Sequence, residues 1–146
     1  MRKDDYYKRT MHTPDDPARA AVRAALRDVS RILLPLHRAL IDAAREEYHA
    51  TVAPVSGPTH LLQLLQEEPF FEWLKPLTAL IVDIDEMTRT DFEEAEAKAI
   101  TARVERLFGS DVDEAFSRRY VPILQRDIDV AVGHAAVRKA LAGLRA

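Results

Sequence analysis

Apolar residues recur at helical spacing almost from one end of this chain to the other, and no run alternates as a half-buried strand would. The clearest series is Ala18, Val22, Ala25, Val29, Leu33, Leu36, Leu40, Ala44, Tyr48 and Val52, whose steps of three or four lay one stripe along a long helix. Amphipathic helices with short connections hide their stripes against one another, which predicts an all-α, single-domain helical bundle of five to seven helices. A chain of 146 residues with 47% hydrophobic and 31% charged side chains is long enough and apolar enough to build such a core.

Punctuation divides the chain. Residues 1–12 are polar and without period and are expected to form a flexible N-terminal arm, leaving 13–146 as the bundle domain. Thr13 as N-cap and Pro14 at the first helical position open a helix predicted to reach about Thr51. Pro35 cannot donate to the carbonyl of Arg31, so a kink is expected there, with the stripe keeping phase across it. Pro54, Gly57 and Pro58 mark a loop, followed by a short helix through Leu61, Leu62, Leu64 and Leu65 that ends before Pro69. Phe70 to Met87 again carries helical spacing, with either a turn before Pro76 or a bend at it, and the run stops near Thr88 to Arg89. Thr90 with Glu93 and Asp111 with Glu114 read as capping boxes for two further helices, the first ending at Gly109 and the second bending at Pro122. Asp127 or Asp129 is expected to cap a final helix, which should frame the bundle together with the first.

Several function classes find no support. Without cysteine there is no disulfide, thiolate metal site or thiol nucleophile. A net charge of −3 exerts no general pull on polyanions, and no stretch approaches the roughly 18 apolar residues of a membrane span. No catalytic triad or phosphate loop is present, and Ser30, Ser56, Ser110 and Ser117 lack the context of a nucleophile. The chain therefore reads as a cytoplasmic binding or assembly module, a homodimer or the partner of another protein, and not as an enzyme or membrane protein.

A second reading makes it a ligand-binding bundle. His37 and His134 lie on apolar stripes of the first and last helices, where facing imidazoles are able to hold haem or a divalent metal, or to border an apolar small molecule; Tyr48 and Trp73 complete the candidate site. Glu46 and His49 have the spacing of one di-iron ligand pair, but no second Glu-x-x-His occurs, and His37 with Asp42 is only a fragment of a haemerythrin-like pattern, so neither family is assigned. The carboxylates Asp83, Asp85, Glu86, Asp91, Glu93, Glu94 and Glu96 read as a solvated acidic patch around a helix junction.

A third reading rests on Arg19, Arg23, Arg27 and Arg31, each four residues after the last, which form a basic ridge about 18 Å long. Such a ridge is able to hold the phosphates of a nucleic acid, which makes weak nucleic-acid binding the third reading, yet the domain is not basic overall, and pairing with the acidic segment or with a partner is the preferred role.

Overall fold

The computed structural model describes residues 15–109 and 113–145. Six α-helices form a bundle with no strand among the described residues: α1 (Pro17–Thr51), α2 (Pro58–Glu67), α3 (Lys75–Arg89), α4 (Glu94–Phe108), α5 (Glu114–Arg126) and α6 (Ile128–Arg145). A 3-10 helix over Pro69–Leu74 joins α2 to α3. No described helix is long and apolar enough to cross a membrane.

Asp16, not Thr13, caps α1: its Oδ1 accepts from the Arg19 backbone N–H at 2.7 Å, and Pro17 takes the first helical position. Thr13, Pro14 and the expected arm lie outside the described residues. The helix continues through Pro35, which is exposed and gives the carbonyl of Arg31 no backbone donor. Its buried face runs Arg23, Leu26, Val29, Leu33, Leu36, Leu40, Ala44, Tyr48. The expected stripe is met from Val29 to Tyr48, but Ala18 and Val52 at its ends are exposed.

The turn before Pro76 is realised as the 3-10 helix, so Pro76 falls in the first turn of α3. The Thr90–Glu93 box does not form. Thr90 instead closes α3, its hydroxyl donating to the Glu86 carbonyl, and Glu93 precedes α4 without a side-chain bond. Asp113 caps α5 by accepting from Phe116 N–H at 3.0 Å, whereas Asp111 lies outside the described residues. Asp127 Oδ1 accepts from the amides of Asp129 and Val130, and so caps α6.

α1 is the axis of the bundle. It packs most extensively on α6, then on α3. At the crossing with α6 a Cβ added to Gly133 would stand 3.1 Å from Leu36 Cδ1, so glycine sets how closely the two helices approach. Phe71, Phe108 and Phe116 are fully buried between the remaining helices, joined by Leu77, Leu80 and Ile84 of α3. Each such large side chain contributes about 1.5–3 kcal/mol by leaving water.

Candidate functional site

His37 projects from α1 toward α3. Its Nε2 lies 2.9 Å from Thr78 Oγ1, and that hydroxyl donates in turn to the Leu74 carbonyl at 3.2 Å. The hydroxyl proton being committed, the imidazole donates from Nε2. Burial lowers the His37 pKa from its ordinary 6.5.

His134 projects from α6 toward α5 and meets Tyr120, whose hydroxyl is 2.8 Å from Nδ1. Burial, with the Arg138 guanidinium adding to it, lowers the His134 pKa, while burial raises that of Tyr120. A protonated phenol donating to a neutral imidazole satisfies both shifts. This pair engages the phenol hydroxyl and Nδ1 of the imidazole.

The two histidines thus reach different neighbours, although Leu36 and Gly133, the residues beside them, touch. Trp73 and His134 stand at the ends of one aromatic row: Trp73 to Phe116 at 5.6 Å, Phe116 to Tyr120 at 5.0 Å, Tyr120 to His134 at 5.6 Å between ring centroids. Tyr48 packs elsewhere, on Phe70 and Phe71, both at 5.3 Å. Among the described residues no group of three or more His, Asp or Glu is placed to hold a metal ion.

The arginine ridge is broken by its second member. Arg23 is 3% exposed and its Nη1 donates to the carbonyls of Met87, Thr88 and Thr90 at 3.3, 3.0 and 2.8 Å, closing the end of α3. Nε and Nη2 bind Asp15, and the guanidinium lies 4.9 Å over the Phe92 ring. The positive charge therefore answers the negative end of a helix inside the molecule. Arg19 is half-buried, 5.9 Å from the same ring, Arg31 is paired with Asp28 in the open, and Arg27 is exposed. The ridge meets the acidic segment at its backbone, with Arg23 bound to main-chain oxygens around Thr88 and Thr90.

Two surface features stand out. The first is a groove along α1 and α6, made of two adjoining hollows of about 640 and 620 Å³ that share Arg31, Ile32 and Ala136. Its floor is small and apolar, with Ala39, Gly133, Ala140 and Gly143. Val132 on its wall is 65% exposed, and Ile128 one turn before it is 77% exposed. Charges of both signs border the groove: Arg31, Arg38 and Asp42 from α1, Asp127 and Asp129 from the start of α6.

The second is a cleft of about 350 Å³ between the 3-10 helix and α5, walled by Pro69, Phe70, Pro76 and Phe116. Two side chains that line it, Trp73 and Arg119, each carry a nitrogen withdrawn from water without a hydrogen-bond acceptor, Nε1 and Nη2. Such orphaned donors are rare and cost about 1–3 kcal/mol each. Sequence reasoning singled out Trp73 but not Arg119, whose pairing with the 3-10 helix is a product of the tertiary fold.

No protein-family model matches the chain, and no curated protein or solved structure is significantly similar to it.

Proposed function

We propose that this chain is a non-enzymatic binding and assembly module whose α1–α6 groove associates with a second copy of itself. The observation that carries this reading is the groove's composition, an apolar floor bordered by charges of both signs, with Arg31, Arg38, Asp28 and Asp42 on α1 and Asp127, Asp129 and Lys139 along α6. A twofold axis brings one patch against its own copy, so each copy's Arg31 and Arg38 can answer the other's Asp127 and Asp129. Small residues on the floor let helices approach closely, and Val132 and Ile128 offer apolar area that the isolated chain leaves in water. A stable interface of this kind removes about 800 Å² from each partner, a demand that two long helices are able to meet.

Sedimentation equilibrium tests the reading. The wild-type chain is expected to weigh as a dimer, and Val132→Arg, which places a charge on the apolar wall, is expected to weigh as a monomer with unchanged helicity. A wild-type chain that remains monomeric at the highest attainable concentration overturns it.

A further inference from the structure

Two imidazoles hold the connection from α1 to α2. The amides of Val52 and Ala53 still donate to the Tyr48 carbonyl, at 2.8 and 3.1 Å, and Pro54 has no N–H to place. The next two amides turn to side chains: Val55 N–H donates to His49 Nδ1 at 3.1 Å, and Ser56 N–H donates to His60 Nδ1 at 3.0 Å. A backbone amide only donates, so each Nδ1 accepts, and each ring is neutral with its proton on Nε2. The connection is thus gripped from both ends, by His49 in the last turn of α1 and by His60 in the first turn of α2. Little else fixes α2: Gly57 gives it no side-chain cap, Leu64 is its one buried residue, and its main packing partner is the short 3-10 helix.

We infer that His49 and His60 form an acid-sensitive latch, which holds the α1–α2 connection and α2 in place while both rings are neutral and releases them when the rings take up protons. A proton on Nδ1 turns each acceptor into a donor aimed at a donor, so the bonds to Val55 and Ser56 are lost. His49 is exposed and His60 half-buried, so solvent protons reach both rings. A charged His60 opposes the positive end of α2 and loosens its first turn, whereas a charged His49 is stabilised by the carboxyl end of α1 without Val55. The charged groups on the same helices are Arg45 and Glu46, one turn before His49, and Glu67 and Glu68 at the far end of α2. On the elements packed around them, Glu72 pairs with Lys75 at 3.1 Å, and Arg119 and Arg126 of α5 lie 3.9 Å from Glu47. Among the described residues no ion pair or hydrogen bond joins either imidazole to a charged side chain, which leaves the two amides as the partners that a proton displaces.

The test is amide hydrogen exchange of the full chain, read by NMR at about pH 8 and about pH 5 as protection factors, which remove the intrinsic effect of pH on exchange. Protection at Val55, Ser56 and Leu65 is expected to fall about tenfold between the two conditions in wild type. The double variant His49→Asn, His60→Asn places an amide oxygen where each Nδ1 stood, an acceptor at either pH, and is expected to lose almost none. Each single variant is expected to lose less than wild type, with helicity checked by circular dichroism. The core amides of Leu33 and Leu36 are expected to respond to pH alike in wild type and variants, which separates the latch from the influence of His37 and His134 on the whole fold. The inference is overturned by equal protection of Val55 and Ser56 at the two pH values, by a loss at those two amides that leaves Leu65 protected, or by a loss in the double variant as large as in wild type.

Discussion

Arg23 and Asp15 share two hydrogen bonds, at 2.7 and 3.2 Å, in a position where their side chains are 4% and 8% exposed. The remaining face of the same guanidinium gathers the last carbonyls of α3. One side chain thus ties the start of α1, the end of α3 and, through Phe92, the approach to α4. Removing it takes two hydrogen bonds from the Asp15 carboxylate and the shared guanidinium donor from three carbonyls. Arg23→Met is expected to cost about 3 kcal/mol, the usual consequence of breaking a buried pair from one side, as read from urea unfolding. Arg23→Lys is expected to recover little of that, since one ammonium does not span both the carboxylate and the helix end.

The glycines of α6 should respond in opposite directions. A Cβ at Gly133 meets Leu36, whereas one at Gly143 finds no heavy atom within 4 Å. Gly133→Val is expected to destabilise by about 2 kcal/mol through overpacking, and Gly143→Ala to stabilise by about 0.5 kcal/mol through helix propensity. Thermal melts of the two variants measured side by side check both signs.

Acid should weaken the fold through two histidines. Burial holds His37 below its ordinary 6.5, and burial with Arg138 does the same to His134. The unfolded chain binds more protons at these positions, so their contribution is complete above 6.5, declines as pH falls through that value, and levels off below the folded-state pKa. The double variant His37→Gln, His134→Gln is expected to show a shallower fall of the urea midpoint across this window than wild type.

Capping should be measurable at the head of α1. Asp16→Ala removes the acceptor of the Arg19 amide and is expected to cost about 1 kcal/mol, while Asp16→Asn should retain most of the stability. Equilibrium unfolding of the two variants provides the comparison.

Which parts of this architecture were legible in the sequence follows from what each signal depends on. The long first helix and its stripe from Val29 to Tyr48 needed only local periodicity, and they stand as expected. Helix starts were harder because Asp15, Asp16 and Thr13, or Thr90, Asp91 and Glu93, offer several oxygens within a turn, and the choice among them is made by packing. Arg23 was misplaced for an instructive reason. It lies three residues before Leu26, in phase with the buried face, but its charge assigned it to a solvated ridge. An arginine in register with a core stripe is a sign of a buried partner. The candidate site was legible in part: Trp73 and His134 do belong to one aromatic row, whereas His37 turns toward Thr78 and Tyr48 toward Phe70 and Phe71. Helical position alone does not choose which neighbouring helix a side chain meets.

The contact between Leu36 and Gly133 also sets a timetable for the nascent polypeptide. α1 emerges from the ribosome with its greasy side bare, and its chief companion, α6, is synthesised only after four other helices. At about 5–20 residues per second, several seconds pass before the two can embrace. During that interval the 3-10 helix is the first to reach α1, at Tyr48 through Phe70 and Phe71, and α3 follows at once, its end tied to α1 by Arg23.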